Sequence, residues 1–217
     1  DEVAQLATRV ELEKMGMPIG LQDQYAAAFG GLNFMAFDAQ GAHVTPIRTP
    51  PGTRETLQKN LLLFFTGTAR ESSKILAQQR AATEKNEGDV VRALAAVRDM
   101  AHQLRDTLAR GDLTGFGEQL HAGWEQKKKF APGISNPDID ETYQIARARG
   151  ALGGKIAGAG GGGFMMLYCR DGAPAAVTEA LEARGLRRMD YRFEEGGARV
   201  LLNAGLRLPP TADGEKP

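Results

Sequence analysis

Apolar residues recur every three or four positions along much of the chain, a spacing typical of amphipathic helices. Val3, Leu6 and Val10 fall on one face and predict a helix from about residue 2 to Met15, ended by Gly16. The same spacing predicts further helices at about 25–29, 72–85, 90–110, 113–129, 136–150 and 173–183.

Shorter apolar runs predict the strands. Residues 32–37 and 42–48 predict a hairpin, and Pro46 confines its second strand to a sheet edge. Runs at 61–65 and 163–169 predict buried strands, and a second hairpin is predicted at 188–194 and 198–203. The segment 49–59, which carries Pro50, Pro51 and Gly52, predicts a connection between two lobes. This order of elements predicts an α+β fold of helices packed on an antiparallel sheet.

The densest glycine stretch lies at residues 150–169, where eight glycines surround Lys155 and lead into an apolar strand. Glycine lets a backbone turn tightly, adopt positive φ and lie against an anion or another loop. The alternative, a flexible linker, is disfavoured because linkers have polar flanks whereas residues 164–168 are apolar. The stretch therefore predicts a backbone cradle or a brace for another loop.

Charge and cysteine content narrow the partners and the compartment. Lys plus Arg and Asp plus Glu both total 27, so no net field favours nucleic acid or a membrane surface. Cys169 is the single cysteine, which excludes an intramolecular disulfide and Cys-cluster zinc sites and suits a reducing cytoplasm. The helical pattern is already under way at Asp1, which suggests that a segment precedes this sequence.

Two carboxylates draw attention, Glu11 and Asp23, on either side of the glycine-containing loop 16–20. Such a pair can hold Mg²⁺ and orient a hydroxyl nucleophile, as phosphoryl transfer requires. Simpler alternatives stay open, because Glu11 suits a solvated helix surface and Asp23 suits a helix N-cap. The lysines 127–129 are likewise typical of a solvated helix end.

Three sequence segments resemble the GHMP superfamily of sugar kinases. GMPIGLQDQYAAAFGG (16–31) resembles the G-M-P-x-G-x-x-D-Q segment of galactokinase and related enzymes, and KIAGAGGGGFMM (155–166) resembles the glycine-rich third motif. With KKKFAPGISNPDID added, the wording is most similar to the D-glycero-D-manno-heptose 7-phosphate kinase branch. The resemblance extends from residue 1 to about residue 205.

This resemblance implies roles for particular residues. Asp23 matches the catalytic aspartate beside the attacking sugar hydroxyl, as base or as orienting group, and Glu11 takes the place of the Mg²⁺ glutamate. The implied ATP-side residues, in a motif that braces the phosphate loop, are Lys155, Gly158, Gly160, Gly161, Gly162 and Gly163. The implied substrate neighbours are Gln22, Gln24, Tyr25, Thr66 and Gly67.

The resemblance also implies a division of the chain and an activity. Residues 1–52 would complete an N-terminal lobe, 53–205 would form the C-terminal lobe on a ferredoxin-like sheet, and 206–217 would be a disordered tail. The family's first motif and its phosphate loop are absent from the sequence, which therefore looks like the C-terminal two-thirds of a kinase, inactive alone.

With ATP and Mg²⁺, the implied enzyme phosphorylates the anomeric hydroxyl of heptose 7-phosphate. It has no nucleic-acid or membrane partner and is compatible with a homodimer. Alternatives are another sugar 1-kinase, acting on galactose, fucose or an N-acetylhexosamine, and a catalytically dead sugar-binding relative.

Overall fold

A computed structural model of the protein describes residues 1–17, 19–67, 72–85 and 87–199. The helices are α1 (Glu2–Arg9), α2 (Gln22–Phe29), α3 (Thr53–Asn60), α4 (Ser72–Glu84), α5 (Gly88–Ala109), α6 (Leu113–Lys127), α7 (Pro137–Ala148) and α8 (Pro174–Ala183). The strands are β1 (Asn33–Asp38), β2 (Gly41–Pro46), β3 (Leu61–Phe65), β4 (Ala151–Ile156), β5 (Phe164–Cys169) and β6 (Arg187–Arg188). The predicted tail 206–217 and residues 200–203 of the predicted second hairpin fall outside the described residues.

Four strands form one antiparallel sheet in the order β4-β5-β3-β6. Helices α4 to α7 connect β3 to β4, and α8 connects β5 to β6, which gives the β-α-β-β-α-β connectivity of a ferredoxin-like fold. Side chains alternate along β3, where Leu62 and Phe64 are buried. The predicted α+β class and ferredoxin-like sheet are confirmed.

The main hydrophobic core lies between this sheet and its helices. Trp124 of α6, Tyr143 of α7 and Leu181 of α8 pack with the buried residues of β3, β4 and β5. The N-cap predicted for α7 is present, since the Asn136 side chain accepts a hydrogen bond from the Ile139 amide. A second cluster around Phe116 and Tyr168 joins α6 and β5 to the β1–β2 hairpin region through Ile47.

The N-terminal helix forms as predicted, but its apolar face is not buried. Val3 and Leu6 are 59% and 57% exposed, and Ala4 is the buried residue of α1. The helix also changes character at Val10, because residues 10–14 form a π-helical turn. The predicted hairpin is confirmed, with Asn33 paired to Pro46 and Asp38 paired to Gly41.

Three predictions of local structure are wrong. Residues 53–60 form α3 rather than a connection, because Gly52 adopts a left-handed conformation just before it and Leu57 buries its side chain. Residues 151–156 form strand β4, whose two glycines were attributed to turning backbone. Residues 189–199 contain no strand, and only Arg187–Arg188 pair with β3.

The segment 193–198 instead packs against the C-terminal end of α2. The Gly31 amide donates to the Glu194 carbonyl at 2.6 Å, and the Ala198 amide donates to the Ala28 carbonyl at 3.0 Å. These bonds use backbone groups that a hairpin would have paired internally. Within the described part of the chain, no helix is long and apolar enough to cross a membrane.

Candidate active site

Asp23 lies in the first turn of α2 with its side chain exposed. The N-cap of this helix is Leu21, and no side chain makes a capping hydrogen bond there. The alternative interpretation of Asp23 as the N-cap is therefore wrong. The helix dipole favours negative charge in the first helical turn, so this position suits a carboxylate even though its side chain makes no capping hydrogen bond.

Gln24 and Glu11 are brought together across the loop between α1 and α2. The Gln24 side-chain amide donates to the Glu11 carboxylate at 2.5 Å. The Gln24 carbonyl oxygen is buried and has no hydrogen-bond partner among the described residues. The neighbouring Tyr25 is buried edge-on against Phe37 of the hairpin, at 5.4 Å between ring centroids, and so fixes α2 on β1. Gln22 is exposed at the start of the helix.

Residues 157–163 form the loop between β4 and β5, here called the glycine-rich loop. Its five glycines all adopt positive φ, as predicted: Gly158, Gly160, Gly161, Gly162 and Gly163. The loop is tied at its base by the Ala157 amide, which donates to the Phe164 carbonyl, and in its middle by the Gly161 amide, which donates to the Ile134 carbonyl, both at 2.8 Å.

Most amides of the glycine-rich loop are free. Among the described residues, no acceptor receives a hydrogen bond from the amides of Gly158, Ala159, Gly160, Gly162 or Gly163. Successive amides in a loop of this kind can form a concave nest that binds anions. The backbone cradle predicted from the glycine content is thus geometrically available.

Lys155 of β4 lies near enough to Asp23 for the carboxylate to act on its charge. Burial lowers the pKa of Lys155, and the Asp23 carboxylate acts in the opposite direction by favouring the charged ammonium. In the described residues, Lys155 has neither an ion pair within 4.0 Å nor a hydrogen bond. An ammonium that is largely withdrawn from water and lacks a close partner is a suitable binding group for an anionic ligand.

Lys127 was predicted to be part of a solvated helix end, and this is wrong. Its ammonium donates to the carbonyls of Ile156 and Gly158, at 3.3 and 2.5 Å. The pKa of Lys127 is lowered to about 8. Burial is the larger cause, and repulsion from the Lys155 ammonium is the smaller one. Only Lys129 is exposed as expected, because Lys128 is half-buried and pairs with Glu125 at 2.8 Å.

A sequence signal for Lys127 existed. Phe116, Leu120 and Trp124 are buried on one face of α6, and Lys127 continues their spacing of four and three residues. The helical pattern therefore placed Lys127 toward the core. The three consecutive lysines predicted a solvated helix end instead.

Thr66 is attached to the glycine-rich loop from the end of β3. Its amide and its hydroxyl both donate to the Gly163 carbonyl, at 2.9 and 3.1 Å. Gly67 follows with positive φ and lines a recess with Thr66 and two arginines, Arg184 and Arg187. Arg184 is already paired with Asp138 and Glu141 of α7.

The described residues contain no group of three or more His, Cys, Asp or Glu side chains that could hold a metal alone. Mg²⁺ does not require such a cage, because it commonly takes one or two carboxylates and completes its shell with water and substrate phosphates. The Glu11 carboxylate and the orphaned Gln24 carbonyl oxygen are oxygen donors of the right kind. The residues present therefore fit a magnesium ion that a phosphate ligand shares.

Comparison with known proteins gives one family match and several relatives. The family described as GHMP kinases C terminal matches residues 104–186. The chain is 31% identical to D-glycero-alpha-D-manno-heptose 7-phosphate kinase of Campylobacter jejuni over 91% of its length. It is 30% identical to galactokinase of Pyrococcus furiosus over 87% of its length.

A solved structure agrees with these relatives. The crystal structure of a D-glycero-D-manno-heptose 1-phosphate kinase from Bacteroides thetaiotaomicron matches 89% of the chain, with a TM-score of 0.58 and 28% identity. The chain spans only part of each protein that it matches: 58% of the Campylobacter kinase, 59% of the galactokinase and 52% of the solved structure.

Proposed function

We propose that the protein is an ATP-dependent sugar kinase of the GHMP family, because residues 104–186 match the family described as GHMP kinases C terminal and the chain is similar to a heptose 7-phosphate kinase. The observation that carries the proposal is one arrangement of side chains and backbone. Lys155 lies within electrostatic reach of Asp23, on the strand that leads into a loop whose amides mostly have no partner among the described residues. A carboxylate opposite an ammonium and an amide nest suits a hydroxyl nucleophile on one side and a phosphate on the other.

Each residue of this arrangement has a proposed role. Asp23 orients the attacking sugar hydroxyl and accepts its proton as the oxygen bonds to the γ-phosphorus. The bond from that phosphorus to the β,γ-bridging oxygen breaks, and ADP leaves. Lys155 and the amides of the glycine-rich loop stabilise the negative charge on the phosphate oxygens. Glu11, with the Gln24 carbonyl, would hold Mg²⁺, which neutralises phosphate charge when bound.

The proposed substrate is D-glycero-D-manno-heptose 7-phosphate, and the product is the 1,7-bisphosphate. The similarity to the Campylobacter heptose 7-phosphate kinase supports this choice. We propose that the enzyme is cytoplasmic and that its partners are small molecules rather than nucleic acid or membrane. A measurement of molecular size in solution tests whether it forms a homodimer.

The similarity to galactokinase favours a second candidate, a kinase for another sugar such as galactose, fucose or an N-acetylhexosamine. In either case, residues 1–52 are proposed to belong to the N-terminal lobe and residues 53–205 to the C-terminal lobe. Thr66 and Gly67 would then lie beside the sugar, because Thr66 is bonded to the glycine-rich loop.

A coupled ADP-release assay on the full-length protein with a panel of sugars and sugar phosphates tests the proposal. We expect turnover with heptose 7-phosphate and far weaker turnover with unphosphorylated sugars. Turnover with galactose alone would favour the second candidate. No turnover with any sugar, in a folded protein, would overturn the kinase proposal and support a sugar-binding relative.

A further inference from the structure

Lys127 is the last residue of α6 and reaches from that helix to the base of the glycine-rich loop. The carbonyls that it contacts, of Ile156 and Gly158, lie on either side of Ala157, where β4 ends and the loop begins. A lysine at the end of the helix that packs on β4 thus fixes the direction in which the loop leaves this strand.

Carbonyl direction also determines amide direction. Neighbouring peptide planes share a Cα atom, so a carbonyl that is held toward Lys127 limits the orientations of the amides that follow. The Gly158 carbonyl belongs to the same peptide as the Ala159 amide, which points to the opposite side. Lys127 therefore favours a loop in which the Ala159 amide points away from the Lys127 ammonium.

The charges agree with this geometry. Lys155 is close enough to Lys127 to lower its affinity for a proton, and both ammonium groups are largely withdrawn from water. Two partly buried ammonium groups side by side are costly unless an anion binds near them. Asp23 supplies one negative charge near Lys155, and in the described residues no carboxylate forms an ion pair with Lys127.

We propose that Lys127 is a positioning residue for phosphate binding: it holds the glycine-rich loop so that the loop amides and Lys155 converge on one phosphate group. This inference rests on the proposed kinase function for its biological meaning, although its geometry does not. A merely structural lysine would stabilise the fold without changing the response of the loop to phosphate.

The test compares four variants of the full-length protein, Lys127→Met, Lys127→Gln, Lys127→Arg and Lys129→Met. Lys129 is the matched control, because it lies two residues away, its side chain is exposed, and within the described residues its ammonium bonds only to Gln126. The protein is labelled with ¹⁵N-glycine, and its amide spectrum is recorded during titration with sodium pyrophosphate. KM for ATP and kcat are measured in parallel.

In the unchanged protein and in Lys129→Met, pyrophosphate should shift the amide signals of the glycine-rich loop. Lys127→Met and Lys127→Gln should weaken this response and raise KM for ATP by about tenfold, the effect of losing a charged hydrogen bond. Lys127→Arg, which keeps the charge and the donors, should recover most of both. Lys127→Gln serves in place of Lys127→Met if the latter does not fold.

An unchanged pyrophosphate response and KM in folded Lys127→Gln would overturn the inference. So would equal losses in Lys127→Gln and Lys127→Arg, since these would show a packing role only. If no sugar is turned over but the pyrophosphate response depends on Lys127, the positioning role stands and the kinase proposal fails. The two proposals are therefore separated by their readouts.

Discussion

Asp23 is a residue whose chemistry can be tested without disturbing the fold. It is exposed and makes no capping bond, so Asp23→Asn should leave the fold intact. We expect phosphoryl transfer to fall at least about a hundredfold, because the carboxylate that accepts the proton is lost. Steady-state kinetics and circular dichroism check the two parts, and near-normal turnover would remove Asp23 from the mechanism.

Glu11 has a convenient control on its own π-helical turn, the exposed Glu13. Glu11→Gln keeps the size of the side chain but removes a charged oxygen ligand. We expect the Mg²⁺ concentration for half-maximal activity to rise about tenfold, whereas Glu13→Gln leaves it unchanged. Equal magnesium dependence in both variants would contradict a metal role for Glu11.

Lys127 should make stability depend on pH. Its pKa is about 8 in the folded protein against an ordinary value of 10.5, so the unfolded chain holds a proton that the folded chain has lost between these values. Stability from this group therefore rises as the pH increases from 8 to 10.5 and is lost again as the pH falls toward 8.

Urea unfolding of the unchanged protein and of Lys127→Met at pH 7, 8, 9 and 10 measures the effect. The difference in unfolding free energy should move in favour of the unchanged protein as the pH rises. Lys155 is the charged neighbour whose repulsion contributes to the lowered pKa of Lys127. A difference that is constant with pH would contradict the assigned burial.

Single residues were predicted with uneven success, and the reasons are physical. The positive φ of the five loop glycines followed from composition, because no other residue adopts that conformation freely. The contact of Lys127 with two carbonyls could not be predicted in this way. A lysine near a helix end is usually solvated, and strand β4, which ends at one of these carbonyls, was not predicted.

At the scale of elements, β4 shows why its two glycines predicted a turn although they lie in a strand. Gly153 and Gly154 lie in an extended strand, where a side chain on Gly153 would collide with α6 and one on Gly154 with β5. A Cβ atom on Gly153 would lie 1.9 Å from the Gly117 carbonyl oxygen and 2.6 Å from the backbone nitrogen of His121. Glycine in a strand can therefore mean close approach rather than a turn, and only tertiary structure distinguishes them.

Gly153→Ala should destabilise the protein by about 2–3 kcal/mol, because the new methyl group forces β4 away from α6. Gly123→Ala is the control, on α6 itself, where a Cβ atom meets nothing within 4 Å. That change should be neutral or slightly stabilising, since alanine favours helix. Chemical denaturation of both variants measures the change in the free energy of unfolding, and equal changes would contradict the packing argument.

The long helices were predicted well because their periodicity extends over many turns. The strands after residue 188 were not, because a short apolar run cannot show whether its backbone will pair with itself or with a distant element. Here the distant element is α2, which lies at the other end of the sequence. Contacts of that separation are set by the whole fold.

At the scale of the whole molecule, the segment 193–198 joins late residues to the helix that carries Asp23. Gly30 and Gly197 meet so closely that a Cβ atom on Gly197 would lie 2.4 Å from the Ala28 carbonyl oxygen. Arg54 of α3 adds an ion pair with Glu195 at 2.6 Å. The segment thus contacts the end of α2 through Glu194, Gly197 and Ala198 and is held on α3 through Glu195, so the position of α2 depends on this segment.

Gly197→Ala should lower kcat for the proposed kinase reaction by about tenfold through displacement of α2, with a loss of stability as well. Gly185→Ala is the matched control, because Gly185 also has positive φ but a Cβ atom there meets nothing within 4 Å. Both variants carry the backbone strain, and only the first carries the clash. Equal kcat values would show that the 193–198 segment does not position Asp23.

The attachment of α2 by residues 193–198 also bears on how the protein is made. Ribosomes synthesise chains from the N-terminus, so α2 emerges early, while Glu194 and Ala198, its partners for Gly31 and Ala28, follow much later. During translation, Asp23 therefore sits on a helix without these anchors. Helix α2 would therefore be held in its final position only after that late segment had left the exit tunnel.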